Sequence, residues 1–294
     1  RGLGDVYKRQ VVGMAGILDS SRFIYFLSQE LNIPVGKIKS FVLGGHGDSM
    51  VAMLGSTEVD GKKIIDLKSI SDLAKNNKIL TIIDNTFASP VNQNPLEFGF
   101  DIVIHSATKY LGGHSDISAG AVVSSEENIN LILNSAKNLG GNLSDYTVWL
   151  LERSMKTLFI RVREQTNNAK LLAKMLEENS NISKVYYPGL QSHPCHEIAK
   201  NQMKDFGAMM SFDLNENIDV YKFLKNLNVV KPGMSLAGVE TTVTFPMKTS
   251  HSLLTQDERD NQGIGNKLIR LSVGIESYED VYNDLDQAIK TSSE

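Results

Sequence analysis

The segment DIVIHSATKYLGGHSD, residues 101–116, places Lys109 just beyond an apolar run, with Ser106 and Thr108 before it and Gly112 and Gly113 after it. Upstream, Asp84 ends a second apolar run, ILTIID, at 79–84. Runs of this kind read as buried strands, and ligands of open α/β sheets sit outside the carboxyl ends of strands. An acid, a lysine and two hydroxyls in one such crevice suit pyridoxal phosphate. Its aldehyde needs a lysine amine. Its pyridine nitrogen needs a carboxylate that keeps it protonated, and its phosphate needs hydroxyl and N–H donors. Residue types alone leave plainer readings open: a solvated Lys109, an Asp84 that caps a helix, a Ser106 that merely ends a strand. A further group of chemical interest is GGHGDSM, residues 44–50, where His46 stands among three glycines. Glycine permits sharp turns, and histidine exchanges protons near neutral pH.

The elements that must position these groups follow from periodicity. Ile17, Phe23, Ile24, Phe26, Leu27 and Leu31 form a broad apolar stripe that predicts a helix over 11–32, ending before Pro34. IKSFVL (38–43) predicts a strand, and 51–63 reads as polar and turn-rich, with Gly55 and Asp60-Gly61. From about residue 64 helix and strand alternate. DLKSISDLAKNN is an amphipathic helix; ILTIID, DIVIHS (101–106) and AGAVVSS (119–125) are buried strands of a mainly parallel α/β sheet. A long helix from about Ser144 to Glu178 bridges two domains, with Trp149 and its apolar residues in the core. After Tyr187-Pro188-Gly189 the pattern is α+β. It comprises a helix near 194–204, a strand at 208–214, a helix at 217–227, strands near 228–231 and at 268–274, and a final helix at 279–291.

Bulk properties set the class. The chain has 294 residues, 41% hydrophobic and 22% charged, with a net charge of −4. That is the composition of a globular protein without a polyanion-binding surface, so neither nucleic acid nor membrane is expected as a partner. A lone cysteine, Cys195, excludes an internal disulfide framework and fits a cytoplasmic setting. Its neighbours His193 and His196 form too short a cluster to predict a metal site.

Over about residues 64–291 the chain resembles the Cys/Met-metabolism, or transsulfuration, family of pyridoxal-phosphate enzymes. The resemblance rests on IIDNTF, DIVIHSATKYLGGHSD, KTL (156–158), VYYPGLQSHPCHEIAK (185–200), SLAGVET (235–241) and LIRLSVGIE (268–276), in family order. It implies a fold-type-I pyridoxal-phosphate transferase: an α/β large domain, here partial, and an α+β C-terminal small domain. It implies Lys109 as the cofactor lysine and general base, and Asp84 as the pyridinium partner. Thr86 would lie near the ring, Ser106 and Thr108 would contact phosphate or ring oxygen, and Arg270 would fork onto the substrate α-carboxylate beside Ser235. The implied activity is a carbon–sulfur lyase or γ-synthase reaction on cystathionine, methionine- or cysteine-like amino acids or O-acylhomoserine, in a homotetramer. Met234 stands where γ-acting family members often carry glutamate, and offers only an adaptable apolar surface. No glycine-rich phosphate loop or ring-stacking tyrosine of the family is recognised in residues 1–63.

Residues 11–51 resemble instead the lactate/malate dehydrogenase family, on LDSSRF followed by GGHGDSM. That resemblance implies Asp19 as the acid orienting His46, Arg22 as a carboxylate-binding arginine and His46 as proton donor. No G-x-G-x-x-G precedes them to bind a nicotinamide. Residues 1–10, RGLGDVYKRQ, resemble an adaptor-derived tail. The expected organisation is a tail at 1–10, a dehydrogenase-like fragment at 11–63, a partial cofactor-binding domain at 64–180 and a small domain at 181–294. The whole reads as a chimeric gene model. The alternative functions are a malate dehydrogenase-like fragment or an inactive truncated chimera.

Overall fold

The structure, a computed structural model, describes residues 34, 38–43, 51–59, 62–63 and 66–293. The helix expected over 11–32 and the GGHGDSM segment, with Asp19, Arg22 and His46, lie outside the described residues. The chain divides into two compact units, Arg1–Asp84 with Phe98–Phe100, and Asn85–Glu97 with Asp101–Glu294.

In the first unit IKSFVL forms β1 (Ile38–Leu43) as predicted. It pairs antiparallel with β2 (Val51–Val59), which pairs in turn with β3 (Lys62–Lys63). This meander replaces the turn-rich reading of 51–63. The turn signal, Asp60-Gly61, occupies only the two positions between Val59 and Lys62, the length and composition of a tight hairpin connection. The residues before it include β-branched Val51, Thr57 and Val59, which favour a strand. Helix α1 (Leu67–Asn76) starts at Asp66, whose carboxylate accepts the Ser69 N–H at 2.8 Å and caps the helix. Leu67, Ser71 and Ala74 form its buried stripe. The unit's last strand, β4 (Ile82–Asp84), is shorter than the ILTIID run, and Ile79, Leu80 and Ile82 are exposed rather than buried. An apolar run reads as doubly covered, but among the described residues no layer covers this face.

The second unit opens with the short helix α2 (Ser89–Asn92) and the strands β5 (Ile102–Ser106) and β6 (Gly120–Ser124). The α/β class stands, but this pair runs antiparallel, from Ile102 opposite Ser124 to Ser106 opposite Gly120. Residues 107–119 make turns and contain no crossover helix, and without a crossover successive strands cannot lie parallel. Val122 and Val123 on β6 are exposed, again against the reading of a buried strand. Helix α3 (Glu126–Leu139) was not expected, although a Ser125 cap and a left-handed Gly140 mark its ends. The single long helix is two, α4 (Asp145–Met155) and α5 (Leu158–Glu177), broken at Lys156-Thr157. Trp149 is not a core residue. It lies on α4, 54% exposed, and stacks on Tyr146.

Beyond α5 the chain forms β7 (Ile182–Tyr186), β8 (Met209–Leu214), β9 (Lys231–Pro232), β10 (Thr242–Thr244) and β11 (Leu268–Ser272). They make one sheet in the order β7-β8-β11-β10-β9, antiparallel except for β9 beside β10. Helices α6 (His196–Gln202), α7 (Val220–Asn226), α8 (Gln256–Asn261) and α9 (Tyr278–Lys290) complete the unit, and α9 packs on α5 and α7. Strict alternation on β8 turns Met210, Phe212 and Leu214 inward, where they join Ile269 and Leu271 of β11 and Leu172 and Leu176 of α5 in one core. Phe212 meets Phe223 edge-on at 6.4 Å. Truncating such a side chain to alanine costs about 3–5 kcal/mol. The same core takes in Tyr110, the residue after Lys109, so the Lys109 loop is seated on the C-terminal sheet domain.

Candidate active site

Lys109 sits in a tight turn that follows β5. Its N–H donates to Ser106 O at 3.0 Å, the Gly112 N–H to Ala107 O at 2.8 Å and the Gly113 N–H to Lys109 O at 2.7 Å. Tyr110 on one side is fully buried, and burial pushes its phenol pKa up, so the ring is a neutral anchor. Lys109 itself is half-buried. Among the described residues its Nζ makes no ion pair or hydrogen bond, which leaves the amine available to a ligand.

The neighbouring hydroxyls divide by role. Thr86 Oγ1 is buried and accepts the Ser106 N–H at 2.7 Å, so it fixes the end of β5. Thr108 Oγ1 accepts the Ala119 N–H at 2.9 Å, and its own proton reaches Ala119 O only at 3.4 Å. That long contact could be exchanged for a stronger acceptor such as a phosphate oxygen. Ser106, half-buried at the last position of β5, has no described hydroxyl partner. Asp84 is the last residue of β4, in the first unit.

Arg270 lies on β11 opposite Thr244 of β10. Its Nη2 donates to Met234 O at 2.8 Å and to Thr244 Oγ1 at 3.0 Å. Its Nε is buried without an acceptor, and among the described residues no carboxylate pairs with it. Burial lowers its pKa, although a guanidinium remains charged. A buried cation held by a carbonyl and a hydroxyl, with donors to spare, is suited to a bidentate carboxylate. His251, hydrogen-bonded to Ser250 at 2.8 Å, has its pKa lowered by burial and then by the charge of Arg270. It therefore stays neutral at neutral pH and does not compete for the carboxylate. Ser235 is exposed, and its carbonyl accepts from Thr242 Oγ1 at 3.2 Å.

The loops that carry these groups are joined. The Val239 N–H donates to Gly113 O at 2.9 Å, which ties the Ser235–Thr241 loop to the Lys109 turn. The Ala237 N–H donates to Ser272 Oγ at 2.7 Å, which ties it to β11. Ala237 is held there at φ 63°, a left-handed conformation that a non-glycine residue adopts only when its surroundings impose it. A free amine, a hydroxyl-bearing strand end and an uncompensated guanidinium form a donor set that fits pyridoxal phosphate and an amino-acid carboxylate. Thr244 was missed in the sequence because β10 is only three residues long; the alternation in TTVT was its one signal. The two histidines beside Cys195 serve the fold: His193 Nδ1 accepts the Cys195 N–H, and His196 bonds Pro188 O and stacks on Phe206.

Comparison with known proteins places the chain in a family. Residues 57–290 match the model of the Cys/Met metabolism PLP-dependent enzymes, and residues 17–87 match the lactate/malate dehydrogenase α/β C-terminal domain. A cystathionine β-lyase of Lactococcus lactis subsp. cremoris is 44% identical over 229 residues, 78% of this chain and 60% of that protein. An L-methionine γ-lyase of Fusobacterium nucleatum subsp. polymorphum is 44% identical over 232 residues, 78% of this chain and 59% of that protein. Among solved structures, the cystathionine γ-lyase of Lactobacillus plantarum complexed with L-serine has a TM-score of 0.74 at 40% identity, covering 78% of this chain and 60% of that one. The cystathionine γ-synthase of Xanthomonas oryzae pv. oryzae in complex with cystathionine gives 0.75 at 40% identity, covering 78% of this chain and 60% of that one. The chain thus spans about 60% of the length of the curated relatives it matches. By the extent of the match and the residues it contains, the chain belongs to the Cys/Met metabolism family of PLP-dependent enzymes.

Proposed function

We propose that the chain carries the carbon–sulfur chemistry of this family, as a lyase or transferase acting on cystathionine, methionine- or cysteine-like amino acids or O-acylhomoserine. The observation that carries the reading is the seating of an unpaired amine, Lys109, and an uncompensated guanidinium, Arg270, in loops tied through the Val239–Gly113 hydrogen bond. Bound pyridoxal phosphate supplies an electron sink for charge developing at the amino-acid α-carbon. Lys109 Nζ would hold the cofactor through its aldehyde, and as a free amine it would be the base for the α-proton of the substrate. Arg270 grips the α-carboxylate and fixes the face presented to Lys109. Asp84 is proposed as partner of the pyridine nitrogen, and Ser106 and Thr108 as donors to the phosphate. Thr86 acts through the Ser106 N–H, and Ser235 lines the substrate side. Met234, 66% exposed beside Arg270, offers an apolar surface to the far end of the substrate, which favours a lyase or a sulfhydrylase over binding of a distal ammonium.

We further infer a cytoplasmic homotetramer, a cofactor domain over 64–180 and a small domain over 181–294. Among the described residues no helix is long and apolar enough to cross a membrane. The test is formation of keto acid and ammonia from any of L-methionine, L-cysteine, L-cystathionine and O-acetyl-L-homoserine with added pyridoxal phosphate. The expected result is product that disappears in Lys109→Ala. Equal product from the variant, or none from the unsubstituted chain, contradicts the proposal.

A further inference from the structure

Helix α5 carries four buried polar side chains, Arg161, Gln165, Thr166 and Asn168, and Arg161, Gln165 and Asn168 lie among apolar Leu158, Val162, Ala169 and Leu172. The spacing i, i+4, i+7 puts them on one face. Polar groups on a core face destabilise a fold unless their hydrogen bonds are met. All three donate to backbone carbonyls of the segments that carry the site, while Gln165 Oε1 stays buried without a donor among the described residues. Arg161 donates from Nη1 to Tyr110 O at 2.9 Å and from Nη2 to Leu111 O at 3.4 Å, the two residues after Lys109. Its fork also takes Ser154 O at 2.9 Å and Thr157 Oγ1 at 3.2 Å, where the α4–α5 break presents them. Gln165 Nε2 donates to Gly238 O at 2.6 Å, in the Ser235 loop, and to Val273 O at 3.2 Å, just beyond β11. Asn168 Nδ2 donates to Gly274 O at 3.3 Å and Glu276 O at 2.7 Å.

The fit at Arg161 is close on both sides. A Cβ on Gly113 would stand 1.9 Å from Arg161 Nη1, and Gly113 has φ 72°. Only glycine admits the guanidinium there. The guanidinium is buried with carbonyl and hydroxyl acceptors, and no carboxylate pairs with it among the described residues. A buried unpaired cation is a poor device for stability alone.

We propose that the Arg161–Gln165–Asn168 stripe is a positioning device, which from one rigid helix sets the placement of Lys109 relative to Arg270. The stripe spans about 10 Å of helix, with the cofactor lysine tied at one end and the exit of the Arg270 strand at the other. The proposal rests on the reading of Lys109 and Arg270 given above. Arg161 answers for the cofactor half of the site, Gln165 and Asn168 for the carboxylate half.

The two halves separate in experiment. Arg161→Lys keeps the charge and loses the fork; Gln165→Met keeps the volume and loses the donor. Pyridoxal-phosphate affinity is read from the Lys109-dependent visible absorption. L-Methionine affinity is read from the Arg270 Nε–H resonance, identified by its loss in Arg270→Lys. Amide exchange at 109–113, 238–241 and 273–276 reports the loops directly. Arg161→Lys is expected to weaken the cofactor about tenfold, the scale of one charge-assisted hydrogen bond, and to speed exchange at 109–113 only. Gln165→Met is expected to weaken L-methionine about tenfold and to speed exchange at the other two segments only. Asn168→Ala tests the same half if Gln165→Met does not fold. Both affinities falling together in each variant in step with the melting temperature, or neither falling, overturns the proposal. No Lys109-dependent absorption in the unsubstituted chain overturns the reading of Lys109 and this role with it. A normal band left unchanged by Arg161→Lys overturns the role alone.

Discussion

Asp284 offers a test of the architecture beneath the site that needs no ligand. On α9 its carboxylate accepts the backbone N–H of Asn228 at 2.9 Å, of Val229 at 2.8 Å and of Val230 at 2.8 Å, and Gln287 Nε2 adds a bond of 3.1 Å. The bonds pin the chain entering β9, which flanks the β10 strand that bears Thr244. Burial opposes its ionisation, but the N–H donors of Val230, Asn228 and Val229 and the Gln287 side chain prevail and hold the pKa below the ordinary 3.8. Asn in its place keeps one acceptor oxygen and turns a donor toward three donors. Hydrogen bonds to charged groups contribute about 1.5–3 kcal/mol each; with part of them retained, Asp284→Asn should cost about 3 kcal/mol at neutral pH. The assay is urea unfolding followed by circular dichroism at a series of pH values. A carboxyl with a lowered native pKa stabilises above its unfolded pKa, and that contribution fades as pH falls through the native value. The gap between native and variant should therefore be constant near neutrality and close below pH 3.8. Equal stability at neutral pH, or a gap that widens in acid, would refute the reasoning.

Two further outcomes follow from the site. Thr244→Val removes one of the two described anchors of Arg270 Nη2 and should weaken L-methionine binding about tenfold, with Thr244→Ser restoring it; unchanged affinity in the valine variant speaks against the anchor. Gly113→Ala forces a Cβ onto Arg161 Nη1 at a positive φ and should destabilise the second unit by about 3 kcal/mol; an unaltered urea midpoint would contradict the close fit.

The sequence was most informative where one force governs an element. β5 and β8, the helix α1 and the final helix α9 follow from apolar periodicity and lie within a residue or two of their predicted bounds. It was least informative where burial depends on what lies across a face. Ile82, Val122, Val123 and Trp149 have the composition of core residues and are exposed, because periodicity reports a preference for cover and not whether cover exists. The break at Lys156-Thr157 has no proline or glycine to announce it; Arg161 and the Ser154 carbonyl meet across it. Within the candidate site, the motifs around Lys109 and Arg270 single these two residues out in the sequence. Arg161, Gln165 and Asn168 act through backbone carbonyls far along the chain and Thr244 through the Arg270 side chain, and such partners become visible only in three dimensions.

The central claim is that Lys109 is the cofactor lysine. The direct measurement is borohydride reduction after addition of pyridoxal phosphate, followed by proteolysis and mass spectrometry of the peptides. The account predicts the pyridoxyl mass on the peptide containing Lys109 ahead of all others. Label spread evenly over exposed lysines such as Lys137 and Lys174, with Lys109 no richer than they are, would contradict it.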